Sequence, residues 1–576
     1  MLVTDLKKDF YAALARQRVL VLVAVDVDAV CACKTLQCLF QCDQISYSLV
    51  PVTGWSNLEA AFQQHREQFS LFLFLNCGVT GDLVDSLRPD HHHRFFVVDS
   101  RRPIHLVNAF AAQVCVVVRE GDDIQLPDYD EIFREDEESD GGEEEMDEDD
   151  QNQKGTTDED EIEVSIERRR KRRLWEEKRR ELVFEYEQYE YFGTSSALLL
   201  FELAWTLSKD SNELLWCAIV GLTDQWLQEK IPQGKYVSDV AWLQRHVSRL
   251  NHRQEEGSGG SYSHDSLRLA FTYELSLSLY QHWSLLDSLT HSLPTWAGLK
   301  LWSLAGQRRL QGLLADTGIP LIEARQTFSA MDLELKTNLQ QLFDKTAERF
   351  GLKELRVQTF EARLGFRHRF LAGDLALSIS TIIQEDTSAG FSSALHALTR
   401  GGVAKLREGI ERAKLWLECV HRVVASCIAT AQLTSLGPFL FCTLSQGMPD
   451  VEAFCHPDRL CMLSLHLLHS HVHSTKSRRS RQLPLLVSVP LEVKTTETDG
   501  FTGNGFRAEG ISTVLLAGTP PVGSYGDRRN FFGRAFEKAA ETTASHIICD
   551  NFNSAVIELK SEDRSRFLDA LITLLS

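Results

Sequence analysis

The chain has 576 residues, 43% of them apolar, which is enough for several domains with real cores. No apolar run approaches the ~20 residues of a membrane span, and Met1 to Phe10 carries charges where a signal peptide has its apolar stretch, so a soluble, unsecreted chain is expected. Thirteen scattered cysteines without a Cys-x-x-Cys pair argue against a disulfide framework and predict reduced thiols.

The first strong element is an apolar strand, Val19 to Val25, that ends in Asp26-Val27-Asp28. In an open parallel α/β sheet, chemistry gathers beyond the carboxyl ends of the strands, where paired carboxylates suit divalent metals. Two more runs follow, Leu71 to Leu75 into Asn76-Cys77-Gly78 and Phe95 to Val98 into Asp99-Ser100-Arg101. Continuous apolar runs bounded by polar turns read as strands buried on both faces, and helical patterns at Ala29–Phe40 and Leu58–Phe69 separate them, giving βαβ architecture. Asp90-His91-His92-His93 precedes its strand, so it sits at the opposite sheet edge from Asp26 and Asp28.

Charge comes in blocks. Glu135 to Glu163 holds 17 acidic residues and one lysine, so most of the net charge of −20 lies there, and the segment is too polar to fold. Arg168, Arg169, Arg170, Lys171, Arg172 and Arg173 open the basic run that follows it. A nuclear-import signal is its first reading, a nucleic-acid contact the second and a solvated helix beside the acidic loop the plain alternative.

Gly193-Thr194-Ser195-Ser196 opens a helix to Leu207, and Ile219-Val220-Gly221-Leu222-Thr223 leads to Asp224. Between Lys230 and Pro320 the pattern turns helical; Leu275, Leu277, Leu279, Tyr280, Trp283, Leu285 and Leu286 are too crowded for one helix face, which suggests either partner contact or a small self-contained core. Arg245, Arg249, His252 and Arg253 form a basic stripe that suits phosphates, an acidic partner or plain solvent.

The rest resumes α/β character, with a hairpin over Leu355–Phe360 and Arg363–Leu371 and strands at Pro438–Leu444, Leu485–Val489 and Thr513–Ala517. His466, His469, His471 and His473 follow an apolar helix without companion ligands and suit packing or surface roles. A last helix is expected over Asp527–Glu541, where Arg528, Arg529, Arg534 and Lys538 are candidate nucleic-acid contacts, and Phe531, Phe532 and Phe536 suit the core.

In this order the residues resemble the DHH phosphoesterase superfamily, which includes the RecJ single-strand exonucleases and holds two manganese ions with Asp and His side chains. Asp26 and Asp28 match its first motif, Asn76 stands where the second has Asp, Asp99 matches the Asp of its triplet, Ser100 and Arg101 replace the two histidines, and Asp224 matches the fourth motif. Two cations about 3.5 to 4 Å apart need bridging carboxylates and imidazoles. The replacements remove ligands and bring in a fixed positive charge. No Gly-Gly-His substrate signature and no Gly-x-x-x-x-Gly-Lys-Ser/Thr loop occur.

One family within that superfamily departs in this way, the cell division cycle protein 45 family. The resemblance runs nearly end to end through Asp26-Val27-Asp28-Ala29, Asp130-Glu131-Ile132-Phe133-Arg134, Tyr186-Glu187-Gln188-Tyr189-Glu190-Tyr191, Gly221-Leu222-Thr223-Asp224-Gln225-Trp226, Tyr280-Gln281-His282-Trp283-Ser284-Leu285 and Asn530-Phe531-Phe532-Gly533-Arg534. It implies an α/β, RecJ-like two-lobed fold: a parallel-sheet N-terminal lobe and a smaller α/β C-terminal lobe, with an all-helical insertion.

The implied domains are residues 1–134, an acidic loop 135–165, helices 166–230 completing the first lobe, the insertion 231–320 docking a partner, interdomain helices 321–350, and the second lobe 351–576. It further implies a nuclear, non-catalytic helicase subunit, without cofactor or metal, that enters a hetero-complex as a monomer. Its partners would be the minichromosome maintenance ring, GINS, DNA polymerases and, weakly, single-stranded DNA. A metal-dependent single-strand exonuclease or phosphodiesterase using Asp26, Asp28, Asp99 and Asp224 is the alternative.

Overall fold

A computed structural model describes residues 1–15, 17–122, 124–133, 158–257, 267–352, 355–365, 368–384, 387–445, 447–491, 512–523 and 529–576. They form two compact units, Met1–Glu120 with Glu190–Ser576, and Gly121–Tyr189.

The larger unit begins with β1 (Leu2–Val3), β2 (Val19–Ala24), β3 (Tyr47–Val52), β4 (Leu71–Leu75), β5 (Arg94–Val98), β6 (Arg101–Arg102) and β7 (Val114–Val117). Six of them make a sheet of order β1-β7-β5-β4-β2-β3, parallel throughout. Every residue of β2 and β4 is buried, as two-sided coverage requires. Val23 pairs with Leu75 and Leu75 with Val98, so the chain leaves β2, β4 and β5 at one common edge.

Helix α1 (Val27–Cys42) covers one face and packs on α3 (Ser196–Thr206) and α4 (Asn212–Leu227), while α2 (Trp55–His65) connects β3 to β4. The strand β8 (Tyr191–Phe192) pairs antiparallel with β6 and returns the chain to the sheet edge.

Beyond helix α5 (Gln233–Gly257), the stretch expected to be wholly helical contains a strand, β9 (Leu267–Leu275), where Leu267 and Leu269 are buried and Arg268 and Ala270 exposed. It pairs with β10 (Arg356–Leu364), which forms the expected hairpin with β11 (His368–Leu371).

The crowded apolar residues are not a partner face. Leu275, Leu277, Leu279, Tyr280 and Leu285 are all buried, and Trp283 and Leu286 pack against them or their neighbours. Nor is this core self-contained: one cluster joins Leu285, Trp296 and Leu313 of the insertion to Leu463, Leu467, Leu485 and Val487 of the C-terminal lobe.

The C-terminal lobe carries a mixed sheet of β12 (Thr434–Ser435), β13 (Leu440–Thr443), β14 (Leu485–Leu491), β15 (Thr513–Thr519), β16 (Ile547–Ile548) and β17 (Val556–Lys560), in the order β12-β13-β14-β15-β17-β16. Its last long helices are Phe532–Thr543 and Arg564–Leu575. The first of these starts five residues later than Asp527, because Asn530 forms an extended bridge with Glu190 and its side-chain oxygen accepts from the Phe532 N–H at 3.1 Å. Phe532 and Phe536 are buried, as expected.

The two lobes are clasped directly. The Trp55 N–H donates to the Asp550 carbonyl at 2.7 Å and the Ser56 N–H to the Asp550 carboxylate at 2.7 Å. A Cβ on Gly54 would lie 2.4 Å from that carbonyl, so only glycine permits the approach.

In the smaller unit, a long helix (Asp158–Glu187) carries the basic run. Its Lys178 pairs with Glu131 at 2.7 Å, and its Arg179 donates to the Ile132 carbonyl at 2.9 Å. Much of the acidic segment, residues 134–157, lies outside the described residues. Among the described residues, no helix is long and apolar enough to cross a membrane.

Candidate functional site

The common sheet edge gathers most of the residues singled out from the sequence. Asp26 caps α1 by accepting from the Ala29 N–H at 2.7 Å, which places Asp28 in the first helical turn. Asn76 follows β4 with φ of 51°, a left-handed conformation that Asn tolerates, and it is buried beside them. Asp99, Ser100 and Arg101 leave β5 against the same edge.

Asp28 is 3% exposed and fully engaged. Its Oδ1 accepts from Ser195 Oγ at 2.5 Å and the Ala197 N–H at 3.0 Å; its Oδ2 accepts from Asn76 Nδ2 at 3.1 Å and the Ser196 N–H at 3.0 Å. A carboxylate offers about four lone-pair sites, and all are taken. Three of these four donors come from the start of α3, whose unpaired N–H groups favour an anion. The β6–β8 pairing holds that turn, with the Gly193 N–H donating to Ser100 at 2.7 Å. Gly221 of α4 completes the fit, since a Cβ there would lie 2.8 Å from Asp28 Oδ1.

Asn76 orders the centre. Its Oδ1 accepts from Ser196 Oγ at 2.5 Å and the Ser100 N–H at 3.3 Å, so its Nδ2 faces Asp26 and Asp28 at 3.1 Å each. Arg101 lies 3.7 Å from both Asp26 and Asp99 and donates to the Asn76 carbonyl at 2.5 Å.

Burial raises Asp26 and Asp99 above the usual carboxylate range, with Arg101 opposing it. Burial also pulls on the guanidinium, but Asp99 and Asp26 outweigh it and hold Arg101 above its ordinary value. Asp224 is pushed up to about 7 by burial, against the pull of Lys230 and Gln228. It makes no direct bond to Asp26 or Asp28 among those described; Gln228 donates to both of its oxygens at 2.9 Å.

These residues do not fit a two-metal centre. An amide N–H₂ and a guanidinium cannot ligate a cation, and here they point at the carboxylates that would. From the sequence, Ser195 and Ser196 read as a helix-opening turn but not as donors to Asp28, and Gln228 is not singled out.

The remaining candidates lie apart. Asp90, His92 and His93 have ligand atoms within 4.8 Å of one another at the amino end of β5, but His93 Nδ1 accepts from the Asp90 N–H at 3.0 Å and its Nε2 meets the Arg66 carbonyl at 3.0 Å. His466 is buried against His421, and His469 pairs with Glu229 at 3.0 Å, which are packing roles. Arg529 lies over the Tyr191 ring at 5.7 Å and Arg534 pairs with Glu537 at 2.6 Å, while Arg528 lies outside the described residues. Arg169, Arg170, Lys171, Arg172 and Arg173 are exposed on their helix; the side chain of Arg168 is outside the description.

Comparison with known proteins agrees with this architecture. The CDC45 family model matches residues 19–167, 161–390 and 384–574. The chain is 49% identical over 590 residues to the cell division control protein 45 homolog of Homo sapiens, covering 100% of both. It is 30% identical over 620 residues to the homolog of Schizosaccharomyces pombe, covering 95% of this chain and 94% of that one. In three dimensions it is similar to the crystal structure of CDC45 from Entamoeba histolytica, with TM-score 0.69, 18% identity and 100% of both chains covered. The chain belongs to the CDC45 family.

Proposed function

We propose that this chain is a non-catalytic structural subunit of the eukaryotic replicative DNA helicase, joining the minichromosome maintenance ring to GINS in the initiation and elongation of DNA replication. Family membership supports a role in DNA replication. The observation that carries the non-catalytic part is the saturation of Asp28, with Asn76 donating, and the Arg101 charge standing, where a cation would need ligands. Exposed Leu304 of the insertion, with exposed Ile322 and Leu333 of the helices that follow it, suits ring docking, and weak contact with single-stranded DNA falls to Arg529 and Lys538. Nuclear residence follows from that role, with Arg168 to Arg173 as the import signal.

The test is cleavage of a short single strand with manganese by the purified chain and by Asp26→Ala. Equal background from both is expected. Manganese-stimulated cleavage lost in Asp26→Ala would establish the exonuclease instead. Deleting the insertion would cut the shared core, so the partner test uses Leu304→Asp with Ile322→Asp. Capture of the ring should fall while the unfolding midpoint holds; unchanged capture sinks this assignment.

A further inference from the structure

A pocket of about 390 Å³ opens between the insertion and the helix Val403–Ala429 of the C-terminal lobe. Its walls are aromatic. The Trp296 and Trp302 rings stand 6.1 Å apart at 54°, and Trp296 lies 4.2 Å from the His421 ring. His291 adds a fourth ring, backed by Trp283 at 5.3 Å and nearly parallel to it. Burial lowers both histidines, so they are neutral at physiological pH and bring no charge to the pocket.

The pocket holds two charged groups, one turn apart on the same helix, and they differ in state. Arg422 is already countered by Asp450 at 2.5 Å. Glu418, half-buried, has no ion pair or hydrogen bond among the described residues. The local balance is therefore negative, and aromatic faces attract a cation placed within about 6 Å. An anion would meet both the π faces and Glu418.

We propose that this pocket is an aromatic cage that takes the cationic side chain, lysine or arginine, of a partner polypeptide, with Glu418 as its counter-charge. The cage is separate from the carboxylate cluster and does not depend on the helicase role.

Butylammonium and propylguanidinium, which reproduce the ends of the two side chains, test it against uncharged 1-pentanol on the full chain by saturation-transfer NMR. Saturable binding of both cations is expected, with pentanol clearly weaker. Trp302→Leu and Glu418→Gln should each weaken the cations roughly five- to tenfold, and Arg422→Ala should tighten them by leaving Asp450 uncompensated. Trp302 and Glu418 are only half-buried, so an unchanged unfolding midpoint is the control, and Trp302→Phe should restore most of the binding. Pentanol binding as tightly as the cations, or cation affinity indifferent to Trp302→Leu and Glu418→Gln, overturns the proposal.

Discussion

The carboxylate cluster at the mouth of the N-terminal sheet and the core shared by the insertion and C-terminal lobe are both largely withdrawn from solvent, yet they are held by opposite means. In the first, burial opposes the charges, and donors from Asn76, Ser195 and Ser196 together with the Arg101 cation offset the cost, while Asp99 Oδ2 is left without a hydrogen bond among the described residues. In the second, Leu285, Leu313, Leu463 and Leu467 contribute area alone, and two of the polar groups buried beside them, His421 and His466, are neutral imidazoles bonded to each other at 3.1 Å. A donor-held cluster fails when one partner is lost, whereas an area-held core fails in proportion to the volume removed.

The largest effect should follow Arg101→Met. It leaves Asp26 and Asp99 buried without their cation and should cost about 3–5 kcal/mol, read as a lower urea midpoint. A loss near zero would mean the carboxylates are already protonated, and the contrast between the regions would break. Leu463→Ala, fully buried, should cost about 3 kcal/mol by the same measurement. Asn76→Asp exchanges a donor for a further carboxylate at a backbone position both residues accept, costing about 1–3 kcal/mol. Manganese should raise the midpoint of that variant and leave the parent unmoved. Equal stabilisation of both would show that the donors on Asp28 yield to a metal.

The smallest effects separate the regions by pH. Asp224 is raised to about 7 in the fold by burial, whereas an unfolded Asp ionises near 4. The native state keeps the proton longer, so this group's contribution falls as pH rises from roughly 4 to about 7. His466 is lowered to about 3 by burial, so the unfolded state binds the proton first and stability falls as pH drops below roughly 6.5. The two windows overlap with opposite slopes, so Asp224→Asn should make stability rise more steeply with pH between roughly 4 and 6.5 and His466→Leu less steeply; a change of slope in the other direction for either variant would contradict these origins.

The sheet was legible because β2, β4 and β5 are continuous apolar runs with polar ends, a pattern that only two-sided burial explains. Asn76, Ser100 and Arg101 were legible from their order along the chain. The contacts of Ser195 and Ser196 with Asp28 were not, because Ser195 reaches it across 167 residues and no local pattern encodes such a meeting. The strand Leu267–Leu275 had visible alternation, at Leu267 and Leu269 against Arg268 and Ala270, but helical neighbours masked it. The leucines from 275 to 286 looked two-sided for a simpler reason: Leu279 has φ of 56°, the backbone turns there, and the second lobe covers what one helix face could not.

The clasp at Gly54, Trp55 and Ser56 bears on how the molecule is made. Ser56 waits for Asp550 across 494 residues, an interval of roughly 25 to 100 s at ~5–20 residues per second of synthesis. Throughout that time the first lobe stands on the ribosome with this seam open and Trp55 without the Phe552 ring that later lies 5.6 Å away. Chaperone demand should therefore peak late in translation, and ribosome-bound chains ending before Asp550 should be cut by protease near Trp55 while released full-length chains resist.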